Sequence, residues 1–210
     1  MKQETRPASL SPAQAYQTIL VPALFTEWAP RVADAAGIQA GQRVLDVACS
    51  TGVLTREIHH RAGPTGHVTG MDLNPDMLAV ASTLIHAIEW KKGDAEDLPF
   101  PDDHFDAAVC HFALMFFNDK VKALSEMLRV IKPGGKIAVI VWDALNNVPA
   151  YAKVTELLKA DIGEDAADAL RKPFCLGGYD QLVPLFEQAA PTIWPLANRS
   201  GMPAFLISTP

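Results

Sequence analysis

Four short, mainly apolar runs punctuate the first two-thirds of the chain, at residues 43–48, 67–71, 105–111 and 136–142, and a shorter mixed one lies at 88–91. Runs of this length, bounded by Gly, Pro, Asn and Asp, read as strands. They are apolar on both faces, as strands are when helices cover the sheet on each side. The stretches between them read as helices. One spans 51–61 and ends at Gly63-Pro64. A second spans 74–87, with Asn74 as N-cap, Pro75 at the first helical position and Asp76 in the first turn. A third runs to Val130 from a cap at Asn118 or Asp119, and Pro133-Gly134-Gly135 reads as a turn. Residues 12–36 read as helix interrupted at Pro22 and Pro30, closed by Gly37 and Gly41. Residues 149–160 and 179–189 read as two more helices, joined through Pro173-Phe174. Strand and helix in alternation predict an α/β fold, a doubly wound and mostly parallel sheet with right-handed crossovers.

The pattern divides the chain into a helical cap over 1–36, a sheet core over 37–145, a helical part of the same domain over 146–189 and an atypical tail over 190–210. Residues 1–11 are polar and read as loose. Prolines 191, 195 and 203 suit neither a central strand nor a helix. A slip of the reading frame near codon 189 would account for the change of character. The expected consequence is a core that lacks its C-terminal hairpin. Its bare sheet edge would then invite pairing with a second copy, giving a homodimer.

Bulk properties narrow the function. A chain of 210 residues with 49% hydrophobic and 20% charged residues suits one globular domain. A net charge of −6 argues against a nucleic-acid partner, which would favour a basic face. Cys49, Cys110 and Cys175 are odd in number and form no CxxC pair, so they read as reduced thiols of a cytoplasmic protein rather than disulfides or a zinc site. No apolar h-region follows Met1, and no stretch reaches the length of a membrane span. His59-His60 and His86 lie on helices without a third ligand in register, so no metal is expected.

Ligands of a doubly wound sheet sit beyond the carboxyl ends of its strands. The polar residues there are Asp46, Asp72, Asp94 and His111. Asp46 lies inside an apolar run, where it either braces its own turn or meets a ligand ammonium. Asp72 suits a ribose diol, because one carboxylate accepts two hydroxyl hydrogen bonds; the alternative is a helix-capping acid. Asp94 accepts from an exocyclic amine or is an acid of its turn. Phe112, Phe116 and Phe117 line an apolar pocket or belong to the core.

The motifs at these strand ends resemble those of class I S-adenosylmethionine-dependent methyltransferases, of the type that includes ubiquinone and menaquinone biosynthesis enzymes. The matching segments are Val44-Leu45-Asp46-Val47-Ala48-Cys49-Ser50-Thr51-Gly52, Gly70-Met71-Asp72, Gly93-Asp94-Ala95-Glu96-Asp97-Leu98-Pro99-Phe100, Phe105-Asp106-Ala107-Ala108-Val109 and Glu126 to Gly135. They occur in the family's order over residues 40–142. The resemblance implies a Rossmann-like methyltransferase fold, S-adenosylmethionine as cofactor and a small-molecule methyl acceptor. It also implies a site. Ala48, Cys49, Ser50, Thr51 and Gly52 would lie against the methionine part, with Asp46 beneath them. Asp72 would hold the ribose, Leu73 would lie beside the adenine, and Met77 is counted with them. Asp94 and Ala95 would meet the adenine. His111 would border the sulfonium and the acceptor, where it is the candidate catalytic base or a polar wall. Tyr16 would close over the site from the cap.

Two positions depart from the family's glycine-rich pattern. Ala48 tolerates its place if φ is negative. Ser50, if left-handed, costs about 1 kcal/mol relative to Gly, enough to weaken cofactor binding about five- to tenfold. These departures and the tail sustain an alternative, a truncated or inactive methyltransferase-fold binding module. A second alternative, an NAD-dependent oxidoreductase, would call for G-x-G-x-x-G, where this turn has Ala48, Ser50 and Gly52.

Overall fold

Side-chain parity along the strands sets the two faces of the sheet. The structure, a computed structural model, describes residues 10–189 with the strand segments 197–198 and 204–208. Strands β1 (Arg43–Val47), β2 (His67–Asp72), β3 (Glu89–Lys92), β4 (Phe105–His111) and β5 (Ile131–Ile140) are mutually parallel in the order β3-β2-β1-β4-β5. Helices α2 (Trp28–Ala36), α3 (Val53–Ala62), α4 (Pro75–Leu84), α5 (Lys120–Val130), α6 (Pro149–Asp161), α7 (Glu164–Arg171) and α8 (Tyr179–Ala189) follow in chain order. Val44, Val68, Val109 and Ile140 face one side, where they meet Val32 of α2 and Leu54 and Ile58 of α3. Leu45, Val47, Met71, Cys110 and Val139 face the other, against Leu124 and Met127 of α5 and Leu182 and Phe186 of α8. Both faces are therefore apolar, which is why the strands read as unbroken hydrophobic runs.

The elements follow the expected order, with three physical corrections. The C-terminal hairpin expected to be missing is present in the backbone: β7 (Ala204–Ser208) pairs antiparallel with β5, and β6 (Ala197–Asn198) pairs antiparallel with β7. The β5 edge is thus covered, which removes the reason for expecting a homodimer through it. Prolines 191, 195 and 203 and residues 1–9 lie outside the described residues. The Pro133-Gly134-Gly135 turn is absorbed into β5 as an irregularity: Phe105 pairs with Ile131, but Ala107 pairs with Lys136, with Gly134 at φ +79°. Helix α7 was not expected between 160 and 179; its interrupted apolar spacing gave no signal that sequence reading used.

The cap departs from α geometry. Helix α1 (Pro12–Ala15) starts with a capping box between Ser11 and Gln14. It continues as a π-helical segment, Tyr16–Phe25, around Pro22. Proline supplies no backbone donor, and the wider turn accommodates the loss; at its end the Thr26 amide donates to Val21 O, five residues back, at 3.0 Å. Pro30 sits in the first turn of α2, where its missing N–H breaks no helical bond. Gly37 ends that helix at φ +64°, as its position predicts.

Register brings the chemistry together. Val47 lies opposite Met71 on β2 and Cys110 on β4. The next residues are Ala48, Asp72 and His111, so these three form one row across neighbouring strand tips. Behind that row the Trp90 ring packs so closely over Gly70 that a Cβ there would meet it at 2.5 Å. Gly70→Ala should therefore destabilise the fold by about 1–3 kcal/mol through overpacking. Denaturant unfolding checks this, and an unchanged midpoint would contradict the packing.

Candidate active site

The loop after β1 is held by its neighbours as well as by its own bond from the Gly52 amide to Cys49 O at 2.8 Å. The Cys49 amide donates to Met71 O at 2.9 Å, and the Ser50 amide donates to Asp72 Oδ2 at 2.7 Å. Asp72 Oδ1 accepts from the Asn74 amide at 2.8 Å. One carboxylate thus joins the β1 loop to the start of α4. Ala48 and Ser50 have φ of +57° and +50°. The condition of a negative φ at Ala48 is not met, because the chain must turn back within a few residues to enter α3. Phe112, at the tip of β4, is likewise at φ +53°. Three of the four described non-glycine residues with positive φ are therefore at the same rim, where backbone strain marks functional sites.

Two cavities open at this rim. The smaller, about 130 Å³, is lined by Leu73, Asp94, Ala95 and Glu96 among others. The larger, about 480 Å³, is lined by Tyr16, Ser50 and His111 and by a set of rings. Ala48, Asp72, Phe116 and Phe117 line both. Trp142 stacks on Phe112 at 4.0 Å between centroids, with Phe25 about equally far from each at 5.9 and 5.8 Å. Phe174 adds a further ring, 5.2 Å from Tyr151. Phe25, Trp142, Tyr151 and Phe174 escaped the sequence reading. Trp142 follows the tip of β5, so the strand-end rule applied to the fifth strand would have found it.

The remaining expected residues are placed as follows. Asp46 is fully buried and lines neither cavity; its Oδ2 accepts from Thr55 Oγ1 at 2.6 Å, while Oδ1 has no partner among the described residues. Cys49, Thr51 and Gly52 are buried in the loop, and Met77 is half-buried on α4, also outside both cavities. Asp94 Oδ1 accepts from the Glu96 amide at 2.9 Å, so it braces its turn while lining the smaller cavity. That turn is clamped from α5. Glu126 Oε2 accepts from the Leu98 amide at 2.9 Å, and Arg129 donates to Phe100 O and Leu98 O at 2.8 and 3.0 Å.

Electrostatics separate the polar groups. Burial pushes Asp46 up to about 7, opposed by the Thr55 hydrogen bond and reinforced by the negative field of Asp72. Burial pushes His111 down to about 3, so its imidazole is neutral at physiological pH, with Nε2 unpartnered among the described residues. Burial also raises Tyr16, an effect that the neighbouring Ser50 side chain opposes. Ser50 and Tyr16 thus meet at the larger cavity, one from the loop and one from the cap. Among the described residues no cluster of three potential metal ligands occurs, and no helix is long and apolar enough to cross a membrane.

These shifts give opposite pH signatures. Folded Asp46 holds its proton more tightly than the unfolded chain, so stability from this group falls as pH rises from 3.8 to about 7. Folded His111 holds its proton less tightly, so stability falls as pH drops from 6.5 to about 3. The gain of Asp46→Asn over wild type should grow with rising pH, and that of His111→Asn with falling pH, each by at most about 1.4 kcal/mol per pH unit. Urea unfolding across pH 4–8 checks both; parallel profiles for wild type and variants would contradict the burial of these groups.

Known proteins share this arrangement. The profile of a family described as "Methyltransferase domain" matches residues 44–135. The ubiquinone/menaquinone biosynthesis C-methyltransferase UbiE of Pseudomonas fluorescens (strain Pf0-1) is 40% identical over 126 residues, 57% of this chain and 49% of that protein. Its namesake from Ectopseudomonas mendocina (strain ymp) is 39% identical over 142 residues, 65% and 55% of the two chains. The chain thus spans about half the length of the curated relatives it matches. A SAM-dependent methyltransferase from Aquifex aeolicus superposes with a TM-score of 0.65, covering 95% of this chain and 98% of that one at 18% identity, a likeness of fold. The oxidoreductase alternative is not favoured. Residues 44–135 thus match a methyltransferase domain, and over about half its length the chain is similar to the ubiquinone and menaquinone biosynthesis C-methyltransferases.

Proposed function

We propose that the protein transfers a methyl group from S-adenosylmethionine to a small, apolar, ring-bearing acceptor. The supporting observation is the pair of cavities that share Ala48, Asp72, Phe116 and Phe117. The smaller presents carboxylates to a nucleoside, and the larger presents aromatic faces to an acceptor. The relatives are named for C-methylation in quinone biosynthesis, and an aromatic precursor of that kind suits a cavity walled by Phe112, Trp142 and Phe174.

The residues present fit the cofactor. Each Asp72 oxygen accepts one backbone amide and keeps a lone pair for a ribose hydroxyl. Asp94 and Ala95 bound the adenine side. When bound, the cofactor supplies a methyl group on an electrophilic sulfonium. The protein's share is alignment and exclusion of water, since holding donor and acceptor in line supplies much of the acceleration of such a displacement. The rings around the larger cavity provide both. His111 stands at the boundary as a neutral imidazole, able to orient an acceptor by a hydrogen bond from or to Nε2. We do not assign it the role of general base, because a group with its pKa near 3 takes up a proton poorly at neutral pH.

Two variants separate the cavities. Asp72→Asn should weaken S-adenosylmethionine binding about 10- to 100-fold, the loss expected for hydrogen bonds to a charged group. Trp142→Ala should leave that affinity within about twofold while raising KM for an aromatic acceptor about tenfold or more. Calorimetry and steady-state kinetics read these effects. Undiminished cofactor binding in Asp72→Asn would overturn the ribose assignment.

A further inference from the structure

The two cavities are walled from different parts of the chain. Asp94, Ala95 and Glu96 line the smaller from the turn after β3, while Phe116 and Phe117, on the segment joining β4 to α5, line both. That segment is anchored at its β4 end: the Phe112 amide donates to Ile140 O at 2.9 Å, and Leu114 and Met115 are buried. Phe116 itself is exposed, with the Lys172 ammonium 5.9 Å from its ring centroid. At the α5 end Lys120 Nζ donates to Phe117 O at 2.8 Å, and the tie across the rim is Glu96. Its Oε1 accepts from the Asn118 amide at 2.7 Å and from the Asp119 amide at 3.0 Å, while its own amide donates to Asp94 Oδ1 at 2.9 Å. The two accepted amides lie beside the N-terminus of α5, where the helix dipole favours an anion.

One carboxylate thus spans the turn that bounds one cavity and the segment that bounds both. A shift of the turn is passed to the segment through two hydrogen bonds to a charged group, roughly twice as strong as neutral ones. We propose that Glu96 is a positioning residue that couples the two cavities, so that a ligand in one raises the affinity of the other for its own. The first ligand orders the shared walls, and less freedom is left for the second to remove. The effect is reciprocal, because a coupling free energy belongs to the pair of sites. The Asp94 side chain bonds within its own turn and makes no such link. That the smaller cavity takes a nucleoside rests on the cofactor reading above; the tie itself does not.

The test titrates S-adenosylhomocysteine and naphthol, singly and together, into wild type, Glu96→Ala and Glu96→Gln by calorimetry. In wild type each probe should tighten the other about fivefold or more. Glu96→Ala should bring that factor to within about twofold of one, and Glu96→Gln, whose amide oxygen still accepts, should recover part of it. The factor compares each variant with itself, so a change in either affinity alone does not enter it. A second arm follows amide hydrogen exchange: S-adenosylhomocysteine alone should protect residues 116–119, and naphthol alone residues 94–97, in wild type but not in Glu96→Ala. Absence of coupling in wild type, or equal coupling and protection in Glu96→Ala, overturns the proposal. Failure of wild type to bind S-adenosylhomocysteine would sink the cofactor reading instead, and naphthol-induced protection of residues 94–97 would still decide the role of Glu96. Binding of neither probe overturns both. If Glu96→Ala is unstable to heat, Glu96→Asp, which keeps the charge but not the reach, serves the same comparison.

Discussion

The Asp72 carboxylate is the tie on which the site depends. It stands at the tip of β2 and accepts one amide from the loop after β1 and another from the start of α4. The β1 loop is thereby fixed in a shape its own sequence resists, with Ala48 and Ser50 both left-handed. Neither residue would choose that conformation alone, at roughly 1–2 kcal/mol each. The two amide hydrogen bonds to Asp72 offset part of that strain. The strain has a use: it turns the loop sharply enough for Ala48 to sit in the row formed with Asp72 and His111.

That row explains the division of labour at the rim. On the β2 side the walls include the carboxylates of Asp72, Asp94 and Glu96, which the proposed reading gives to a nucleoside. On the β4 and β5 side they are mainly rings, which it gives to an apolar acceptor. Asp46 serves the same geometry from below. Through Thr55 it joins the tip of β1 to α3, and burial keeps it near its titration point at neutral pH. The cap completes the enclosure, its π-helical segment placing Tyr16 and Phe25 over the larger cavity.

Much of this was legible in the chain because the parallel sheet writes itself as unbroken apolar runs, and because β-tips follow those runs directly. Asp72, Asp94 and His111 were found that way, and register places Asp72 and His111 beside Ala48. Three things were not legible. Backbone φ at Ala48 depends on how β1, β2 and α3 meet, which no local pattern records. The protonation of His111 depends on its burial, to which the Phe25 ring of the cap and the Phe112 ring at the tip of β4 contribute, and sequence distance conceals the first of these. The closing strands lie in a tail whose prolines argued against strands, yet β7, just after Pro203, pairs with β5, and β6 pairs with β7.

The most direct test of the account is a crystal structure of the protein grown with S-adenosylhomocysteine. Density for the adenosine is expected between Asp72 and Asp94, with the thioether sulfur directed into the cavity of Phe112 and Trp142. Adenosine density anywhere else, or none beside these carboxylates at saturating ligand, would contradict it.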